Sequence, residues 1–178
     1  VPMLIQHIDD YDRWQFKLDG SKEFHAALNS YKPWTFETWR GIFLCGLFEK
    51  ETWRVPEEFY MEGTAILRAH NQNVQAALKQ ARPCEIFKWI DEFTRYSLFG
   101  LACNAPAFLA SDLGHELANK SGTFGLVWSM AGDGQVHCSL RSNGDYDVSA
   151  IAKVFGGGGH RNAAGFSTDI DTLVSWLK

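Results

Sequence analysis

No stretch of the chain approaches the ~18 consecutive apolar residues of a membrane-spanning helix, and no secretory leader opens it. Cysteine is sparse: Cys45, Cys84, Cys103 and Cys138 are scattered, with no Cys-x-x-Cys pair. That argues against a zinc site or a disulfide framework and for reduced core thiols in a cytoplasmic protein. Positive charge is also in short supply. Seventeen Lys and Arg stand against 21 Asp and Glu, a net charge of −4. This balance argues against a broad basic surface for long nucleic acid, yet it is compatible with a local pocket for a small phosphorylated ligand. Walker, Gly-x-Ser-x-Gly and His-Glu-x-x-His motifs are missing.

What the chain has in abundance is glycine in one place. Gly156-Gly157-Gly158-Gly159 is followed directly by His160, Arg161 and Asn162, then by Ala163-Ala164-Gly165-Phe166. Four consecutive glycines carry a backbone-entropy cost, and their N–H groups stand clear of any Cβ. Such a loop suits close approach to an anion. Upstream, Val148, Ile151, Ala152 and Phe155 fall on one helical face, with Asp147 at the N-cap position. Val136, Cys138 and Leu140 alternate with His137, Ser139 and Arg141, as in a half-buried strand. The expected order is therefore strand, turn, helix, glycine loop, short helix.

A coarse reading of the rest gives helices over about 2–11, 21–31, 36–47 and 56–81. The last is entered through Pro56 and stopped by Arg82-Pro83. Strands follow at 84–89 and 96–103, paired as a hairpin, then a helix capped by Ser111. Strands at 124–130 and 136–141 flank the turn Gly132-Asp133-Gly134. A final helix spans about 169–177. The expected fold class is α/β: N-terminal helices and a long connector helix, then a mixed sheet with flanking helices.

The segments Ser139-Leu140-Arg141-Ser142, Asp147-Val148-Ser149, Gly156 to His160 and Ala163 to Phe166 together resemble the C-terminal DHH-associated domain of DHH-type phosphoesterases. That family includes nanoRNases, cyclic-dinucleotide phosphodiesterases and RecJ-like exonucleases. The resemblance is strong over residues 96–178 and weaker over 1–95. It implies a catalytic-domain remnant at 1–55, a connector helix at 56–82 and a substrate-binding domain at 83–178. His7 to Trp14 is similar to the last metal-ligand segment of one subgroup, which makes Asp10 the first-ranked ligand and Asp12 the second. The same aspartates equally fit the end of a helix and the start of a turn.

The resemblance also implies roles. Gly157, Gly158 and Gly159 offer N–H donors to phosphate, and His160 pairs with a phosphate or stacks under a base. Arg141 and Ser142 bind another phosphate, with Arg161 and Asn162 as second-rank contacts. Arginine suits bidentate phosphate contact. Partners would be short phosphorylated nucleotides or oligonucleotides, the catalytic DHH domain, and a second copy through the crowded Trp14, Trp34, Trp39 and Trp53. The family's paired Mn²⁺ or Mg²⁺ ions need an Asp-His-His segment that this sequence does not contain. The expectation is a C-terminal piece or a naturally shortened relative, inactive by itself and holding no metal tightly. A different class of reading stays open: a non-catalytic RNA-binding or dimerisation module like the C-terminal domain of alanyl-tRNA synthetases.

Overall fold

A computed structural model describes residues 3–44, 57–89, 92 and 95–178. The expected positions Cys45, Leu47, Trp53 and Pro56 lie outside these residues. The chain divides into two compact units, Val1–Asn71 and Gln72–Lys178. Among the described residues, no helix is long and apolar enough to cross a membrane.

The first unit is helical: α1 (Met3–Asp12), α2 (Ser21–Ser30), α3 (Phe36–Leu44) and the start of α4 (Glu57–Leu78). Leu4, Phe24, Ala27, Leu28 and Phe59 form its core. A buried polar chain runs beside that core. Tyr60 and Ser21 flank the His7 ring, 2.9 Å from its Nε2 and Nδ1 respectively. The Ser21 hydroxyl donates to Asp10 Oδ2 at 2.7 Å.

The second unit is a six-stranded mixed sheet of order β1-β2-β3-β4-β6-β5. Its strands are β1 (Arg82–Trp89), β2 (Arg95–Asn104), β3 (Phe124–Met130), β4 (Val136–Ser142), β5 (Gly158–His160) and β6 (Ala163–Thr168). β1–β2 and β3–β4 are antiparallel, as the turn chemistry predicts. β2 and β3 are parallel and therefore need a crossover, supplied by α5 (Ala110–Ser121). Alternation along the strands divides the side chains between two layers. One face sets Cys84, Ile86, Ala102, Leu126, Cys138, Leu140 and Phe166 against α6 (Val148–Val154) and α7 (Ile170–Trp176). The other sets Cys103 and Val127 against Leu113 and Leu117 of α5 and against Val74 and Leu78 of α4. Burial pushes the Cys84 and Cys138 thiols up to about 12, as befits core residues that stay protonated.

Two expectations are corrected. Ser111 is not a cap. A short 3₁₀ turn (Ala107–Leu109) runs straight into α5, so Leu109 occupies the cap position without a side-chain bond. The segment after the glycines is a strand rather than a short helix. Ala163 to Thr168 lies in register along the edge of β4, whose backbone groups would otherwise lack partners.

Candidate functional site

The four glycines do three different jobs. Helix α6 begins at Asp147, whose Oδ1 accepts from the Ser149 amide at 2.9 Å and its hydroxyl at 2.6 Å. The Ser149 bond, first among several, holds that carboxyl below its usual range. At its other end, α6 closes with Gly156 at φ 77. The Gly156 amide donates to Lys153 O at 3.2 Å and the Gly157 amide to Ala152 O at 2.9 Å. These are the two bonds of a Schellman cap. The expected Gly157 donor is thus engaged inside the chain. A Cβ at Gly157 would also stand 2.1 Å from Gly165 O. The first two glycines end a helix, and only the last two are left for a ligand.

Gly158 and Gly159 belong to β5, which pairs with β6 through Gly158↔Gly165, Gly159↔Ala164 and His160↔Ala163. The His160–Ala163 pair adjoins the two-residue turn Arg161–Asn162 and exchanges both its hydrogen bonds. Gly159, one residue back, must then direct its N–H and C=O at the open edge of the sheet. Its φ of 140 and the 2.5 Å gap from a built Cβ to Ala163 O reserve the position for glycine. Nothing lies within 4 Å of a Cβ built at Gly158.

Register then assembles the site. Arg141 pairs with Ala163, which pairs with His160, so all three side chains rise from one face in one row. The next row is Ser139, Gly165 and Gly158. Arg141 and His160 are two strands apart, about 10 Å, over a floor of small residues. This floor is the feature that strand alternation alone did not reveal, because it needs the β4–β6–β5 pairing.

Arg141 is held in place by its own strand and by α5, which packs on the same face of the sheet. Its Nη1 donates to Leu140 O at 2.9 Å and its Nη2 to Ser111 Oγ at 3.0 Å. Gly114 of α5 makes room for its stem, since a Cβ there would meet Arg141 Cγ at 2.7 Å. Burial lowers the Arg141 pKa and the Asp112 carboxylate opposes that, but a guanidinium keeps its charge regardless. His160 is exposed, and its ring has no hydrogen-bond partner among the described residues.

The remaining expected contacts serve the scaffold. Ser142 is buried, and its hydroxyl donates to Tyr146 O at 2.6 Å. Asn162 Nδ2 donates to Ser142 Oγ at 3.0 Å and to Gly144 O at 3.1 Å. Arg161 Nη2 donates to Asp145 O at 2.8 Å and lies 3.1 Å from the Asp145 carboxylate. Together they tie the β5–β6 turn to the loop that precedes α6. A phosphate would have to compete with these bonds.

Asp10 and Asp12 are not brought together. They sit two residues apart on α1, on opposing faces. Asp10 is buried, and Asp12 is exposed. Both Asp10 oxygens already accept hydrogen bonds, Oδ1 from Lys17 N at 2.9 Å and Oδ2 from Leu18 N at 3.1 Å and from Ser21. Burial would raise the Asp10 pKa, but these bonds and the nearby His7 outweigh it and leave the pKa below its usual value. Among the described residues, no three His, Cys, Asp or Glu side chains gather where they could hold a metal ion. The described residues therefore do not fit the family's two-metal centre.

Residues 107–176 match the DHHA1 domain. The chain is 31% identical over 172 residues to the uncharacterized protein R106 of Acanthamoeba polyphaga mimivirus, an alignment that covers 94% of this chain and 37% of that protein. Among solved structures it is similar to PggH, a pGpG-specific phosphodiesterase from Vibrio cholerae. That likeness has a TM-score of 0.53 at 12% identity and covers 96% of this chain and 62% of the other. It is a likeness of fold. The chain thus spans about a third of the one relative and under two thirds of the other. The part of the chain that carries the glycine motif, the crossover helix and the row of Arg141 and His160 is the part that matches the DHHA1 domain, the DHH-associated domain.

Proposed function

We propose that this chain supplies the substrate-binding part of a DHH-type phosphoesterase that hydrolyses short nucleotides. The observation that carries the reading is the row Arg141–Ala163–His160, set over a floor of Ser139, Gly165 and Gly158 beside the open edge at Gly159. A buttressed guanidinium and an imidazole share this row, and the Gly159 amide lies on the adjoining edge. The cation and the donors favour an anion, and the small floor lets it approach the backbone. The hydrolytic centre and its Mn²⁺ or Mg²⁺ ions belong, on this reading, to a catalytic DHH domain beyond the described residues, and this chain alone is inactive. The similarity in fold to a phosphodiesterase that acts on pGpG supports a dinucleotide-sized substrate.

The test is calorimetric titration of the chain with pApA in metal-free buffer. Micromolar binding is expected, with Arg141→Ala and His160→Ala each weakening it by about tenfold or more, the loss of a charge-assisted hydrogen bond. Unchanged affinity in both variants would overturn the reading.

A further inference from the structure

A second polar pair stands on the same face of the sheet, and the site described above leaves it unused. His137 of β4 pairs with Ser167 of β6, one row beyond Ser139–Gly165 and two beyond Arg141–Ala163. The His137 ring is exposed, with its Nδ1 3.0 Å from Ser167 Oγ. That cross-strand bond fixes the ring's orientation. When the serine hydroxyl donates to Nδ1, the neutral ring must carry its proton on Nε2. No other hydrogen bond engages the His137 ring among the described residues. The result is a ring held in a set orientation on the face that also carries Arg141.

Spacing says what this donor reaches. His137 lies four residues from Arg141 along β4, about 13 Å at the rise of an extended strand. Between them stand Ser139 and Gly165, neither of which rises far above the sheet. One nucleotide anchored at Arg141 and His160 falls short of His137. A second nucleotide continuing along β4 and β6 meets it.

Resting on the phosphate-binding reading of Arg141 and His160, we infer that the His137–Ser167 pair is the far end of the same site. It donates from Nε2 to an acceptor atom of the second nucleotide. The site thereby favours a dinucleotide over a mononucleotide. His137 and Ser167 are then specificity residues.

The experiment compares AMP and pApA as calorimetric ligands for the chain and for His137→Ala, His137→Gln and Arg141→Ala. Because His137 is exposed, its variants should melt close to the parent, which circular dichroism checks. The expected result is a three- to tenfold loss of pApA affinity in His137→Ala, with AMP affinity within twofold of the parent. Partial recovery is expected in His137→Gln, which keeps a donor. Equal losses for both ligands, or no loss for pApA, would overturn the inference. Arg141→Ala separates the two failures. If it weakens both ligands while His137→Ala weakens neither, the far-end contact alone is wrong. If it weakens neither, or if the parent binds neither, the phosphate site itself fails and this inference falls with it.

Discussion

Arg141 and His160 stand in one row of the sheet, on strands two apart, with the methyl group of Ala163 between them. Neither residue touches the other in sequence or shares an element. The row exists because β6 enters between their strands in a register that pairs Ala163 with both. A small side chain at that point keeps the row low between the two longer ones.

Filling that gap should therefore abolish binding without unfolding the chain. Ala163 is only half-buried and stands between Arg141 and His160 in the row. Ala163→Leu should lower pApA affinity at least tenfold by occupying the phosphate position, while the melting temperature stays near the parent's. A variant that binds as well as the parent would show that the ligand lies elsewhere.

The glycines should separate into structural and functional positions. Gly157→Ala forces a methyl against Gly165 O and Phe166. A cost of about 1–3 kcal/mol is expected, the usual penalty for overpacking. Gly158→Ala meets nothing within 4 Å and should leave stability unchanged or slightly higher. Its methyl rises from the binding floor, so pApA affinity should fall. Denaturant unfolding of the two variants, beside calorimetry, reads both effects. Equal stability of the pair would contradict the division.

Acid should loosen the helical unit in two steps. Burial lowers the His7 pKa below its usual 6.5, with Asp10 opposing. The unfolded chain thus takes up a proton that the folded one refuses, and stability falls as pH drops below about 6.5. The Asp10 pKa also lies below its usual 3.8, so its contribution is present above that value and is lost as pH falls further. Melting temperatures across pH 8 to 3 should show both phases, and His7→Gln should remove the upper one. A parent and a variant with the same pH profile above pH 5 would rule out His7 as its source.

Most of the fold was legible in the residues themselves. Two-residue alternation marked β3 and β4, Gly132-Asp133-Gly134 marked their turn, and Asp147 marked the start of α6. These signals are local, set by backbone sterics and by side chains within four positions. The motif from Ser139 to Phe166 likewise announced the domain, and Arg141 and His160 as candidates. The residues did not announce the strand after the glycines, because Ala163-Ala164 has good helix propensity and the competing demand came from β4, more than twenty residues away. Ser111 looked like a cap for the same reason: its local pattern fits one, but α5 is entered through a turn that leaves its hydroxyl to Arg141.

Sequence by itself determined which residues could meet a phosphate, since composition, glycine freedom and arginine chemistry are properties of the residues. Tertiary structure decided which of them stay free to do so. A backbone N–H has one bond to give, and whether Gly157 gives it to Ala152 or to a ligand depends on where α6 ends. Side chains on different strands face one another only through register, which is a relation between distant segments. Pairing placed Arg141, Ala163 and His160 in a row, and packing committed Ser142, Arg161 and Asn162 to the scaffold beneath it.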